Sequence, residues 1–233
     1  MEFLADVFEA AFAFLGDSGG ELARVVLLTL VVAGLATAIG VAIGVPFGIW
    51  LGLARFRGRG AIWTVVNVGM GMPPVLVGLF VLLLLWSDGP LGPLNILFTP
   101  AAMVIVQVLL ALPIAAGVTA GAVAGLAPDA REQLDALHLT FPRRGAVVAK
   151  EVWPGVTAAI AATFGRVVSE VGAVLIVGGN ILGETRVLTT AIVQETRQAR
   201  FGAAVALGIV LLVIAFSVNG TLTWLQFRGR HVG

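Results

Sequence analysis

The chain has 233 residues, of which 59% are hydrophobic and 12% are charged, and its formal net charge is +1. Water-soluble domains carry about 25% charged residues, so this composition indicates a membrane protein, and it lacks the strongly basic balance of a nucleic-acid-binding protein. The chain contains no cysteine, which excludes disulfides and thiolate metal sites.

The N-terminal residues predict an amphipathic helix. Apolar side chains from Phe3 to Leu15 recur on one helical face, and Glu2, Asp6 and Glu9 lie away from it. A signal peptide would carry basic residues in place of these acids. We expect residues 1–20 to form an amphipathic segment, either at the outer membrane surface or packed on the bundle, ahead of a single transmembrane domain over residues 21–233.

Five charge-poor stretches are long enough to cross a bilayer. A hydrocarbon core about 30 Å thick requires about 20 apolar helical residues. Backbone groups in lipid must be satisfied within each segment, so we predict an all-α integral membrane protein with five transmembrane helices. The spans fall within residues 25–54, 60–87, 100–123, 152–183 and 201–227.

The distribution of basic residues predicts the orientation of the spans. The segments after the first, third and fifth spans hold nine Lys and Arg residues, and the segments on the opposite side hold four. Lys and Arg accumulate in cytoplasmic loops. We therefore expect the N-terminus outside the cell, the C-terminus in the cytoplasm, and the charged segment over residues 126–154 in the cytoplasm.

Glycines repeat at every fourth position of the first span, as Gly40, Gly44, Gly48 and Gly52. This spacing places them on one helical face and allows a second helix to approach closely. The face is either a static packing surface or a moving or dimerising one.

The second and fourth spans contain candidate breaks. Pro73 and Pro74 remove amide donors from the second span, and an opened helix is tolerated in a membrane only inside protein or beside a cavity. This segment is either a simple kink or a break that lines a solute path. Near the end of the fourth span, the backbone amides of Gly178-Gly179-Asn180 are candidates to face an oxyanion, although glycine pairs also commonly end helices.

Arg166 and Glu170 are the charged residues within the fourth span. Their i, i+4 spacing places them on the same helical face. Ionisable groups inside a membrane are energetically costly and usually face protein or water. The pair is either a structural ion pair or the polar lining of a solute path.

The sequence shows no catalytic or nucleotide-binding motif. Residues 145–151 come nearest to a phosphate-binding loop, but they lack its second glycine and its hydroxyl residue. His138 and His231 have no partner at metal-ligand spacing. We expect no enzymatic activity, no metal site and no cofactor bound by this chain, so uphill transport would draw energy from a partner or an ion gradient.

The cytoplasmic segment carries a spaced set of residues that matches a known motif. Counted back from Pro154, the chain has Asp135-Ala136-Leu137, then Phe141, Glu151 and Trp153. This spacing resembles the motif of ATP-binding-cassette (ABC) importer permeases, which is Glu-Ala-Ala, three residues, Gly, nine residues, Ile, one residue and Leu-Pro. Five of the residue types differ from the motif, and Pro142 supplies a turn next to the position of the family's glycine.

Three other stretches extend the resemblance over nearly the whole chain from about residue 22. Residues 72–79 resemble the second-span region of molybdate-type and tungstate-type permeases. Residues 92–114 and 172–196 resemble the tungstate branch, and the second of these is the strongest match.

The resemblance implies a type I ABC importer permease fold and ATP-driven import of tungstate, with molybdate or sulfate as alternative oxyanions. It implies a homodimer of permeases in a bacterial inner membrane, two cytoplasmic ATPase subunits that bind ATP and Mg²⁺, and an external tungstate-binding protein. A secondary transporter, a channel and a nonconducting scaffold are the alternatives.

The resemblance and the span features together give two sets of candidate residues. The ATPase-coupling residues are Asp135, Ala136, Leu137, Phe141, Pro142, Arg143 and Pro154. The residues of the translocation path are Arg166, Glu170, Gly178, Gly179, Asn180, Pro73 and Pro74.

Overall fold

The computed structural model describes residues 2–17, 19–137 and 139–228, apart from the side chains of Glu2, Ala5, Asp17, Asp135, Phe141 and Arg228. Over these residues the structure consists of α-helices and one 3-10 helix, Gly92–Leu94. The helices are α1 Glu2–Asp17, α2 Gly19–Leu53, α3 Arg59–Met70, α4 Pro74–Leu85, α5 Pro100–Ala124, α6 Pro128–Ala136, α7 Phe141–Glu151, α8 Trp153–Val168, α9 Gly172–Gly178, α10 Leu188–Arg197 and α11 Phe201–Arg228.

Three helices, α2, α5 and α11, are individually long and apolar enough to cross a membrane. Two bent pairs, α3 with α4 and α8 with α9, raise the number to five if each pair is one broken span. These elements correspond to the five predicted spans, and the predicted all-α membrane fold is confirmed. The first break runs from Gly71 to Pro73, as expected from residues that tolerate or impose non-helical backbone.

The chain forms two compact units, and helices α2, α5, α8 and α11 each contribute to both. Unit 1 contains Met1–Ala36, Pro73–Gln107 and Arg166–Ser217, and unit 2 contains Thr37–Met72, Val108–Gly165 and Val218–Gly233. The separation of residues 1–20 from a domain over residues 21–233 stays a prediction.

In unit 2, the glycine face of α2 packs closely on α5. A Cβ atom at Gly40 would lie 2.6 Å from the Cβ atom of Ala111, and one at Gly48 would lie 2.5 Å from the carbonyl oxygen of Ala116. Both distances are shorter than any tolerated contact, so these positions admit only glycine without movement of a helix. The glycine face is therefore a packing surface within the chain. Because α5 covers it, the face is not available to a second copy of the chain.

Helices α6 and α7 are anchored in unit 2 by an apolar core. Leu134 of α6 and Val148 of α7 are buried in it. The other buried members are Val45, Ile49, Val123, Val152 and Val156. Pro128 begins α6 and Pro142 lies in the first turn of α7, where proline is favoured. The predicted cytoplasmic segment is thus a pair of short helices fixed to the ends of longer ones.

In unit 1, α1 packs on the start of α11 through small residues. Ala10 and Ala11 lie against Gly202, and the ring of Phe3 meets that of Phe201 edge-on with centroids 6.2 Å apart. Three other large apolar side chains of the helix are exposed. They are Leu4, Phe8 and Phe12. The predicted amphipathic helix therefore exists, it packs on a neighbouring helix, and an apolar face remains exposed.

Candidate functional site

The packing of α4 against α9 in unit 1 brings two helix starts together. A Cβ atom at Gly172 would lie 2.7 Å from a methyl group of Val75, so the first turns of the two helices are in close contact. Pro73 and Pro74 lie at the start of α4, and Glu170 lies just before α9. The structure therefore places these three predicted path residues at one end of a helix pair.

Glu170 stabilises the break between α8 and α9. Its side chain is 6% exposed, and its Oε1 atom accepts a hydrogen bond of 3.1 Å from the backbone amide of Ala173. Its backbone carbonyl accepts a hydrogen bond of 2.9 Å from the hydroxyl of Thr189. Glu170 thus satisfies one of the amides that the break exposes at the start of α9, which favours a structural role for this carboxylate.

Arg166 is only partly neutralised by Glu170. The nearest guanidinium nitrogen lies 3.8 Å from the Oε2 atom of Glu170, which is longer than a hydrogen bond, and the Arg166 side chain is 39% exposed. A guanidinium group carries five N–H donors. Arg166 therefore keeps donors and positive charge available to an anion, as the path interpretation requires.

Three polar residues missed by the sequence reasoning complete the surroundings of the break. Gln107 is 4% exposed, and its Nε2 atom donates a hydrogen bond of 3.2 Å to the backbone carbonyl of Val167. Thr29 accepts a hydrogen bond from the amide of Leu188, and Thr189 donates to Glu170. The break is therefore tied to α5 and to the start of α10 by hydrogen bonds within unit 1, and α10 is tied in turn to α2.

The residues Gly178, Gly179 and Asn180 lie at the opposite end of α9. This helix has seven residues, so its two ends are about 10 Å apart. Gly179 has φ 72° and its amide donates to the carbonyl of Leu175, which is the usual end of a helix. The predicted path residues thus form two groups, and the amide of Gly179 is already used within the chain.

Asn180 is the polar side chain of this second group. Its backbone has φ 54°, in the left-handed region. Its buried Oδ1 atom accepts no hydrogen bond from any part of the chain that the structure describes. A buried acceptor without a donor is costly, and such sites cluster where ligands or conformational changes supply a partner.

The predicted coupling residues lie mainly on the surface of α6, α7 and the turn between them. Ala136, Leu137, Pro142 and Arg143 are exposed, with Leu137 at 58%, and Pro154 is half-buried. The side chains of Asp135 and Phe141 lie outside the described part of the structure.

Glu170→Ala is expected to destabilise the protein. It removes the acceptor for the amide of Ala173, and an unsatisfied buried donor costs about 1–3 kcal/mol. Glu170→Gln keeps an acceptor and should lose less. Thermal unfolding of the purified variants in detergent measures both effects.

The matched control for this measurement is Glu184→Ala, which removes the same side chain from an exposed position. If Glu170→Ala lowers the unfolding temperature no more than Glu184→Ala does, the capping role of Glu170 is wrong.

Known proteins resemble the chain over most of its length. The family described as "Binding-protein-dependent transport system inner membrane component" matches residues 44–231. A probable anion ABC transporter permease protein of Haloferax volcanii is 39% identical over 217 residues, which cover 91% of this chain and 93% of that protein. A tungstate uptake system permease protein of Peptoclostridium acidaminophilum is 36% identical over 233 residues, which cover 97% of this chain and 99% of that protein.

The fold also resembles that of solved ABC transporters. A chain from the crystal structure of a bacterial alginate ABC transporter in complex with an alginate pentasaccharide-bound periplasmic protein has a TM-score of 0.75 and 18% identity. The match covers 93% of this chain and 82% of that chain. At this identity, the likeness establishes a shared fold.

Proposed function

The chain belongs to the family of binding-protein-dependent transport system inner membrane components, and we propose that it is the permease subunit of an ATP-driven tungstate importer. The observation that carries the choice of tungstate is the 36% identity to a tungstate uptake permease over nearly the full length of both chains. The partly neutralised Arg166 within a candidate membrane span supports an anionic substrate.

An ABC importer permease works with an ATPase and a binding protein. We propose that two copies of this chain assemble with two cytoplasmic ATPase subunits and an external tungstate-binding protein. The ATPase subunits would bind ATP and Mg²⁺, and this chain would bind no cofactor. The basic residues support a cell-membrane orientation with the N-terminus outside and the C-terminus in the cytoplasm.

The ATPase-binding surface is proposed to lie on α6, α7 and the turn between them. It would comprise Asp135, Ala136, Leu137, Phe141, Pro142 and Arg143, with Pro154 at the start of α8. Its support is the exposure of its described members and the anchoring of both helices by Leu134 and Val148. This core also includes residues of α2, α5 and α8. A displacement of either short helix would therefore be transmitted by side-chain packing to these three helices within unit 2.

The translocation path is proposed to use both groups of polar residues. Tungstate is a dianion, so its path should offer donors and weak positive charge without forming a deep trap. Arg166 supplies the charge, and Glu170 moderates it while it holds the break. Pro73 and Pro74 would open the neighbouring backbone. Gly178, Gly179 and Asn180 would shape and line the far group.

Molybdate is the main alternative substrate because its size and charge are nearly those of tungstate. Discrimination between the two is assigned to the external binding protein. A secondary transporter would need an ion-coupling site or inverted repeats, and the sequence shows no convincing repeat.

Reconstitution in liposomes with the partner ATPase and binding protein tests this function. We expect tungstate to stimulate ATP hydrolysis and uptake, molybdate to do so to a degree set by the binding protein, and sulfate to act more weakly. Omission of the ATPase is the control and should abolish uptake. Uptake that persists without the ATPase and follows an ion gradient would instead identify a secondary transporter.

A further inference from the structure

Two adjoining hollows lie at the C-terminal end of α2 in unit 2. The first has a volume of about 240 Å³ and is lined by Leu53, Arg55, Arg131 and Arg144. The second has a volume of about 190 Å³ and is lined by Trp50, Leu53, Ala54 and Arg144. We propose that the two hollows together bind an anionic phospholipid, with its phosphate in the first and the upper part of an acyl chain in the second.

The first hollow concentrates positive charge from three separate elements. Arg55 follows α2, Arg131 lies on α6 and Arg144 lies on α7. The described lining residues include no carboxylate. Guanidinium groups bind phosphate through paired N–H donors and are less strongly hydrated than an ammonium group. The hollow therefore has the chemistry of a phosphate site.

Two of these arginines differ in how they are held. Arg131 donates hydrogen bonds of 3.0 and 2.9 Å to the carbonyls of Val123 and Ala124, so it also caps the end of α5. Arg55 makes no hydrogen bond or ion pair with any residue that the structure describes. One side of the hollow is therefore fixed in place, and the other offers an uncommitted guanidinium group.

The second hollow supplies the apolar half of the site. Trp50 stacks on Phe56 with ring centroids 5.3 Å apart, and its ring lies 5.4 Å from that of Phe47. Tryptophan is enriched at the level of the lipid headgroups in membrane proteins. Because α2 is a candidate membrane span that ends at Leu53, the basic hollow lies where the span leaves the hydrocarbon.

A phospholipid accounts for both hollows, whereas free phosphate accounts only for the basic one. Basic pockets beside membrane helices are known to bind anionic lipid headgroups. A lipid in this position would contact α2, α6 and α7 together and would brace the two short helices. Because α6 and α7 carry the proposed ATPase-binding surface, bracing them would also affect ATPase coupling. That effect rests on the proposed function, whereas lipid binding itself does not.

Native mass spectrometry of the purified full-length permease in detergent tests the site. The protein is titrated with phosphatidylglycerol and with phosphatidylcholine of identical acyl chains. We expect tighter binding of phosphatidylglycerol to the unmodified chain. The double variant Arg55→Gln/Arg144→Gln should lose about tenfold or more of that preference, given the contribution of each basic residue near an anionic lipid.

The matched control is Arg57→Gln/Arg143→Gln. It removes the same two charges from neighbouring positions that line neither hollow, and it should retain the preference. Equal binding of the two lipids by the unmodified chain, or equal loss in both double variants, would overturn the proposal. Displacement of the lipid by millimolar inorganic phosphate or tungstate would assign the basic hollow to a free oxyanion and would overturn it as well.

A second measurement keeps the test independent of the folding of the arginine variants. Brominated phosphatidylglycerol should quench the tryptophan fluorescence of the unmodified chain more than brominated phosphatidylcholine does, and Trp50→Phe should remove that difference. An unchanged difference in Trp50→Phe would place the lipid elsewhere. Neither readout depends on tungstate transport or on the ATPase, so failure here is distinct from failure of the importer function.

Discussion

Arg166→Gln is expected to reduce tungstate uptake by about tenfold to a hundredfold, since hydrogen bonds to charged groups contribute about 1.5–3 kcal/mol. Arg166 is the charged group in this span that retains exposed donors, because its contact with Glu170 is 3.8 Å long. Arg166→Lys keeps the charge but loses the planar set of donors, so tungstate uptake by this variant should fall between that of the unmodified chain and that of Arg166→Gln. Uptake into proteoliposomes that contain the complete importer measures the effect.

The control for this experiment is Arg197→Gln, which makes the same change at an exposed position on α10. Assembly of each variant with the ATPase is measured by co-purification and should be unaffected, because Arg166 lies outside the proposed coupling surface. Uptake by Arg166→Gln at the level of the control would remove this residue from the mechanism. Loss of assembly together with uptake would show that its role is structural.

The transmembrane fold could be predicted well because its signals are local. Long apolar stretches predicted the spans, and Pro73 in the second span predicted either a kink or a break, of which the structure contains a break. The start of α6 at Pro128 follows from the tolerance of a first helical turn for proline. Each of these features depends on residues that are neighbours in the chain.

The site could be predicted only in part because its geometry depends on contacts between distant residues. Glu170 lies beside Thr189, and Gln107 reaches the carbonyl of Val167, through tertiary packing that no spacing rule contains. One feature of the sequence could have identified Gln107 as part of the site, because it is the single amide side chain within α5. Polar groups inside a membrane helix are rare and functional often enough to be considered individually.

The division of the path residues into two groups could not be predicted for a different reason. The sequence did not show where the fourth span breaks, so Arg166 and Asn180 looked like parts of one lining. The seven residues of α9 lie between them, and they set the two groups apart. A solute path that uses both groups must therefore extend along α9.

Gly48→Val is expected to prevent stable packing of α2 on α5 within unit 2. The new Cβ atom would lie 2.5 Å from the carbonyl oxygen of Ala116 and 2.9 Å from the Cβ atom of Thr119. The first contact is with helical backbone, which has no alternative rotamer. Overpacking costs about 1–3 kcal/mol and sometimes more, so the unfolding temperature and the yield of monodisperse protein in detergent should both fall. Gly34→Val is the control, because a Cβ atom at that position of the same helix meets nothing within 4 Å.

Compensating substitutions separate close packing from a general intolerance of larger residues. At Gly40 the nearest obstacle is the Cβ atom of Ala111, at 2.6 Å, and the Ala111 backbone is 3.5 Å or more away. Gly40→Ala should therefore destabilise the chain, and Ala111→Gly in the same protein should restore much of the loss. At Gly48 the obstacle is a carbonyl oxygen, which Ala116→Gly leaves in place, so Gly48→Ala should not be rescued in this way. Rescue at both positions, or at neither, would show that direct contact between these residues does not explain the four-residue glycine repeat.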